Sequence, residues 1–285
     1  MTNEQPTSYA DTAEFILHPT DFSEASNLAL AHALRLAVSN KCRLDLLHVG
    51  KPEDGNEEFP SVRDLLIKWG MLAEHAPRLA VKQLGVDVGK IICEEGAVPS
   101  AIDNYCQHKP VDLIVLSTAG RHGLAAWLHP STAGQIAKQV AQSSIPTLFV
   151  PEKCNGCVEP DTGKVVMEHV LVPVDHSPSA GKAVERALVA LSRFGSAHAD
   201  LTLLHVGKAE NFPELHIPTG SAKVHRVARP GDPAAEILAT AKEIDASAII
   251  MVTAGTEGML DVLRGSTTDQ VLRHANCPLL AVPSF

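Results

Sequence analysis

Hydrophobic and polar positions along the chain fall into two rounds of one alternation: a short apolar run, a loop, then an apolar stripe at helical spacing. Phe15-Ile16-Leu17 reads as a buried strand that closes at His18-Pro19-Thr20-Asp21. Ser23 stands where a helix N-cap belongs, and Leu28, Ala29, Ala31, Leu34, Leu36 and Ala37 follow on one helical face. Arg43 to Val49 predicts a second strand, and a helix over about 61–80 turns Val62, Leu65, Leu66, Trp69, Leu72 and Ala73 inward. Val86 to Cys93 predicts a third strand, Gly96 to His108 a helix with Pro99 near its start, and Leu113 to Leu116 a fourth strand. A helix over about 131–141 and a strand from Thr147 to Val150 complete the round. Five strands alternating with four helices need crossovers, and crossovers mean a parallel sheet covered on both faces.

The second round starts at His169. Val170 to Ser177 repeats the pattern of Ile16 to Ser23, with Ser177 expected as N-cap and Pro178 as the first helical residue. Leu201 to Val206 (LTLLHV) repeats Leu44 to Val49 (LDLLHV), Gly231-Asp232-Pro233 answers the stretch Gly96 to Pro99, and Cys277-Pro278 answers Ile145-Pro146. The segments keep their order, so the chain is a tandem duplication: a tail over 1–13, a first domain over 14–151, a linker over 152–167 and a second domain over 168–285. Pro, Gly and charge enrich the linker, as suits a boundary. One difference is large. From Val49 to Gly96 there are 47 positions, and from Val206 to Gly231 only 25. The second domain is therefore expected to lack its second helix; Pro213, Pro218 and Gly220 predict an irregular crossover instead. The sheet face this uncovers must be buried by the other copy, a second chain or a ligand.

Composition narrows the class. With 285 residues, 45% apolar and 20% charged, the chain suits two ordinary globular domains, and no apolar run approaches the length a membrane helix needs. The polar beginning predicts no signal peptide, hence a cytoplasmic protein. Lys plus Arg number 24 against 33 Asp plus Glu, a net charge of −9 with no basic cluster in sequence, which argues against nucleic acid as a partner.

Both rounds carry the same feature after the fourth strand: Ala248 to Gln270 (AIIMVTAGTEGMLDVLRGSTTDQ) is matched by Asp112 to Gln135 (DLIVLSTAGRHGLAAWLHPSTAGQ). An apolar strand, a small-residue loop and a helix opening after Gly265-Ser266 would turn backbone N–H groups and a helix dipole toward one point, a setting for an anion. The alternative is a tight turn with a Ser N-cap and no ligand.

Taken together, Pro19-Thr20-Asp21-Phe22-Ser23, Pro173-Val174-Asp175-His176-Ser177, the repeated Leu-Leu-His-Val and the glycine loop resemble the universal stress protein family in its tandem two-domain form. The resemblance implies an α/β fold of two doubly wound domains, each with a five-stranded parallel sheet of the adenine nucleotide α-hydrolase type, paired about a pseudo-twofold axis. One branch of the family binds ATP through an Asp after strand one and the pattern Gly-x2-Gly-x9-Gly-Ser/Thr. In the second domain Asp175, Gly255, Gly265 and Ser266 match, with Val252 at the first glycine. In the first domain Asp21, Gly120 and Ser131 match, but Ser117 and Pro130 replace the first and third glycines. The resemblance thus places an adenine nucleotide, ATP or AMP, on Pro173, Val174, Asp175, Val206, Gly255, Gly258, Gly265, Ser266 and Thr267, in preference to Thr20, Asp21, Val49, Gly120, Gly123 and Ser131. The expected role is regulatory: occupancy biases domain or subunit packing, in a homodimer or toward a regulatory protein partner.

No phosphate-loop lysine, nucleophile elbow or zinc-protease signature is present, so no catalytic residue is assigned and weak ATPase activity is the most that is expected. His48 and His205 end equivalent strands and read as structural. His18, His122 and His129 flank the first loop, where a metal or acid/base role would need a shared centre. Cys154 and Cys157 form a Cys-x-x-Cys in the linker, short of two zinc ligands. The alternative function is a nucleotide-free scaffold or zinc-responsive module built on these groups.

Overall fold

The computed structural model describes residues 14–50, 58–118, 145–154, 156–196, 198–215, 223–253 and 266–283. The first half runs β1 (Phe15–Pro19), α1 (Glu24–Asn40), β2 (Arg43–Val49), α2 (Val62–Lys68), α3 (Ala80–Gln83), β3 (Asp87–Cys93), α4 (Val98–His108), β4 (Leu113–Ser117) and β5 (Thr147–Val150). The second runs β6 (His169–Pro173), α5 (Ala180–Phe194), β7 (Asp200–Val206), β8 (Val224–Arg229), α6 (Pro233–Glu243), β9 (Ala248–Thr253), α7 (Ser266–His274) and β10 (Leu279–Pro283).

The two predicted sheets are one. Ten strands lie in the order β3-β2-β1-β4-β5-β10-β9-β6-β7-β8. Every neighbouring pair is parallel except β5 with β10, which pair antiparallel from Leu279↔Phe149 to Ala281↔Thr147. Side chains alternate across this joint, so both faces of the sheet carry a core common to the two halves. Leu148, Val150, Leu280 and Val282 join the core under α1 and α5. Phe149, Leu279 and Ala281 join the core on the other face, with Ile102 of α4 and Ile237 of α6. At the helix ends Asn40 binds the halves directly, its Nδ2 donating to Leu36 O and, across the joint, to Arg193 O at 3.0 Å.

Helix α1 starts as predicted, the Ser23 side chain accepting from the Ser26 N–H, and ends at Lys41, whose φ of 52° turns its N–H back to Ala37 and Val38. Two other predictions need correction. The helix expected over 61–80 stops at Lys68, because Gly70 takes φ +68° and the chain turns to seat Trp69. The indole N–H of Trp69 donates to Pro160 O at 3.0 Å, and its ring lies against Gly163, where an added Cβ would come within 2.4 Å. The second half also departs at its first helix: Ser179, not Ser177, is the N-cap, since Asp175 bridges to Ser179 and the chain needs one more turn before α5. The shortened crossover holds. Between β7 and β8 the described residues form one 3₁₀ turn, Ala209–Asn211, and no α-helix.

The linker is a small hairpin docked on the first half. Val158 bridges Val165, the Glu159 N–H donates to Lys164 O, the Val166 N–H donates to Cys157 O, and Lys68 Nζ meets Asp161 at 2.5 Å. Its anchor in the core is His32 of α1. Nδ1–H donates to Leu28 O at 2.9 Å while Nε2 accepts from the Cys157 N–H at 3.1 Å, so the ring must be neutral. Burial pushes His32 down to about 4, and His18, whose Nδ1 bonds Val115 O at 2.8 Å, to about 4 as well. Depressed histidines take up protons more readily in the unfolded chain, so their stabilisation is complete above about pH 6.5 and is lost as pH falls toward 4. Denaturant unfolding should show stability falling between pH 7 and 5 by about 2 kcal/mol for each of the two histidines. His32→Gln is expected to flatten that fall by about half; an unchanged slope would show that His32 is not held neutral by the linker.

Candidate functional site

Each half reverses strand order once, between β1 and β4 and between β6 and β9, and in open α/β sheets ligands bind at the carboxyl ends of strands beside such a reversal. Because β5 and β10 run antiparallel, the two crevices open at opposite edges of the sheet. The strand registers make each one. β1 ends at Pro19, paired with Leu47, yet β2 continues to pair with β3 as far as Val49↔Cys93. Leu47 O accepts from the Thr20 N–H on the β1 side, and the Gly50 N–H donates to Cys93 O on the β3 side, each at 2.8 Å. Alternate residues of a strand turn their backbone groups to opposite neighbours, so Val49 turns its N–H and C=O toward the space that β1 has left. The second half repeats this: β6 ends at Pro173↔Leu204, β7 pairs with β8 to Val206↔Arg229, and Val206 faces the space left by β6.

His48 and His205 brace the loops that leave β1 and β6. His48 Nδ1 donates to Thr20 O at 2.9 Å and His205 Nδ1 to Val174 O at 3.3 Å. Around these equivalent braces the halves differ. In the first, the Asp21 carboxylate accepts from both the N–H and the hydroxyl of Ser23, at 3.1 and 2.6 Å. Phe22, at φ 61°, stacks on His48 with centroids 4.2 Å apart and meets Phe59 edge-on at 5.3 Å. Three rings therefore stand beside the open edge at Val49. In the second, Asp175 accepts from the His176 N–H at 2.8 Å and leaves its side chain 67% exposed. His176 Nε2 donates to Asn211 O at 3.1 Å, and Phe212 lies edge-on to His205 at 5.9 Å. Asp175 Oδ1 also lies 3.9 Å from His205 Nδ1, so an exposed carboxylate with its outer oxygen toward solvent, an open backbone edge and an aromatic wall meet there. Phe22, Phe59, His176 and Phe212 carry no periodic signal in the sequence and come to these crevices through loop geometry alone.

Of the residues assigned by resemblance, Pro173, Val174, Asp175 and Val206 come together at the second crevice, and Thr20, Asp21 and Val49 at the first. Ser266 and Thr267 open α7, whose first N–H groups have no partners within the helix. Gly255, Gly258 and Gly265, and in the first half Gly120, Gly123, Ser131, His122, His129 and Pro130, lie outside the described residues. Ser117 and Val252 stand near the ends of β4 and β9, as the matched pattern requires.

The linker thiols form no metal centre among the described residues: no group of three His, Cys, Asp or Glu side chains there is arranged to hold a metal ion. Cys157 is fully buried, and burial raises its thiol far above the usual range. Cys154 is pushed up to about 11 by the same cause, and its Sγ donates to Pro151 O at 3.1 Å. Both are neutral thiols at physiological pH. Among the described residues no helix is long and apolar enough to cross a membrane.

A doubly wound α/β fold with one switch point in each half is the class this geometry defines. The sequence profile of the universal stress protein family matches residues 14–151, 167–223 and 219–283, and the chain belongs to that family. The second and third matches meet and overlap at 219–223, within the shortened crossover of the second copy. A universal stress protein of Methanocaldococcus jannaschii is 30% identical over 115 residues, 40% of this chain and 63% of that protein, so the match spans less than two thirds of the relative. Among solved structures, a universal stress protein from Archaeoglobus fulgidus superposes with a TM-score of 0.57 at 19% identity, covering 94% of this chain and 96% of its own. A putative universal stress protein from Pseudomonas aeruginosa gives 0.57 at 16% identity, covering 95% and 93%. These likenesses establish the fold.

The two braces differ in strength. His48→Leu removes a 2.9 Å hydrogen bond and a stacked pair, and is expected to cost about 2 kcal/mol in denaturant unfolding. His205→Leu removes a 3.3 Å bond without the stack and should cost about 1 kcal/mol. The reverse ranking would mean that the loop after β1 is held by other contacts.

Proposed function

We propose that the chain is a stress-response regulatory protein that binds an adenine nucleotide, ATP or AMP, in the crevice of its second domain. The observation that supports this most is the contrast between the two carboxylates: Asp21 is taken up by Ser23 beneath a stack of rings, whereas Asp175 is exposed beside the open edge of Val206. In this reading the Asp175 carboxylate accepts from ribose hydroxyl or base amino groups. The backbone of Val206 pairs with the base edge, and Phe212 supplies an apolar wall. Ser266, Thr267 and the N–H groups opening α7 receive the phosphates together with Gly255, Gly258 and Gly265. Each group binds or orients; none has a chemical step to perform. His176 and His205, the nearest imidazoles, both spend a ring nitrogen on loop carbonyls.

Signalling follows from where the crevice sits. β9, whose end delivers the phosphate loop, pairs directly with β10, and β10 makes the joint with β5. Occupancy at the end of β9 would bias packing at that joint, or between two chains, and a regulatory protein partner would sense it.

Calorimetric titration of ATP, and separately AMP, into ligand-free protein is expected to give one site per chain at micromolar affinity. Asp175→Ala should weaken it by about 10- to 100-fold, the usual loss for a hydrogen bond to a charged group, while Asp21→Ala leaves it unchanged. Gly265→Val should abolish binding with the fold intact by circular dichroism. Absence of heat and of thermal shift at millimolar nucleotide would defeat the reading.

A further inference from the structure

The first half carries a concavity at the β3 edge of its sheet. Between α2, α3 and the edge strand β3 lies a cleft of about 440 Å³, within the size range of small-ligand sites. Its rim holds four cations, Arg63, Arg78, Lys82 and Lys90, and its lining contains no carboxylate. The floor is apolar: Val62 and Val86 are buried, Val81 and Val88 half-buried. Two of the cations are matched from outside the cleft, Arg63 by Asp64 at 3.4 Å and Lys82 by Asp87 at 3.2 Å. Lys90 lies over the ring of Phe59 at 5.7 Å, and among the described residues no carboxylate pairs with Arg78 or Lys90. In a chain of net charge −9, Arg78 and Lys90 thus stand at the rim of one valine-floored hollow without a carboxylate partner among the described residues, and they gain from an anion placed between them.

We infer that this cleft binds a small organic anion with an apolar body, of the aryl or alkyl phosphate class. The apolar floor asks for a hydrocarbon or aromatic moiety, and the cationic rim asks for a compact, multiply charged head. A long polyanion is disfavoured: beyond a Debye length of about 8–10 Å it would meet the acidic remainder of the surface. The cleft is on a different strand edge from the nucleotide crevice, so this inference does not rest on nucleotide binding.

The probe is 1-naphthyl phosphate, followed by its fluorescence on titration into the full chain. One site is expected, with affinity falling at least 10-fold between 50 and 500 mM salt, as roughly follows from screening of exposed charges. Arg78→Ser/Lys90→Ser is expected to raise Kd by about 30-fold or more with an unchanged far-ultraviolet spectrum, reflecting the loss of two charge-assisted contacts. Inorganic phosphate should compete only weakly, since it cannot use the valine floor, and saturating ATP should leave binding in place. Displacement by ATP, or an unchanged Kd in the double variant, would put the probe elsewhere and overturn the inference.

Discussion

The antiparallel joint between β5 and β10 is the constraint on which the molecule depends. Each half taken alone would end in a short strand apolar on both faces, Thr147 to Val150 or Leu279 to Pro283, and an open strand of that kind is a template for aggregation. Pairing the two removes both edges at once. It extends the two cores across the joint, brings α1 against α5, and among the described strands leaves β3 and β8 as the edges, which carry more exposed and charged positions. The linker then has to return the chain from the end of β5 to the start of β6. The hairpin held by His32 and Trp69 packs that return against the first half.

The joint also sets where chemistry can occur. Parallel halves joined antiparallel send their carboxyl ends to opposite edges, so the two crevices cannot share a ligand and are free to diverge. They have diverged on one frame. The registers that expose Val49 and Val206 are the same, and so are the histidines that brace the departing loops. The difference lies in a few side chains. Phe22 folds back over His48 and the next hydroxyl takes up Asp21, while the second half turns His176 aside to Asn211 and leaves Asp175 in solvent. The two halves thus keep one scaffold and differ in the side chains around it.

Much of the fold could be read from the residues. Apolar runs bounded by Pro, Gly and Asp located the strands, Ser23 marked the start of α1, and the 47- and 25-residue intervals located the shortened crossover, whose described residues form one 3₁₀ turn. The misreadings have a common origin. The stripe from Val62 to Ala73 is helical in pattern, but Gly70 and the demand of Trp69 for the linker end the helix early. Ser177 has the chemistry of an N-cap, but the bridge from Asp175 to Ser179 delays the helix by two residues. Local propensity proposes, and contacts distant in sequence decide.

By itself the sequence determined the duplication, the alternation of strand and helix, family membership and the chemical type of the residues after β1 and β6. These depend on periodicity and spacing, which are properties of neighbours along the chain. Only the tertiary structure decided that two sheets become one, that the two switch points face opposite edges, that Asp21 is taken up by Ser23 while Asp175 stays exposed, and that four scattered cations share one cleft. Each of those rests on groups tens to hundreds of residues apart meeting within a few ångströms, and burial, pairing and charge at such meetings are fixed by packing of the whole chain.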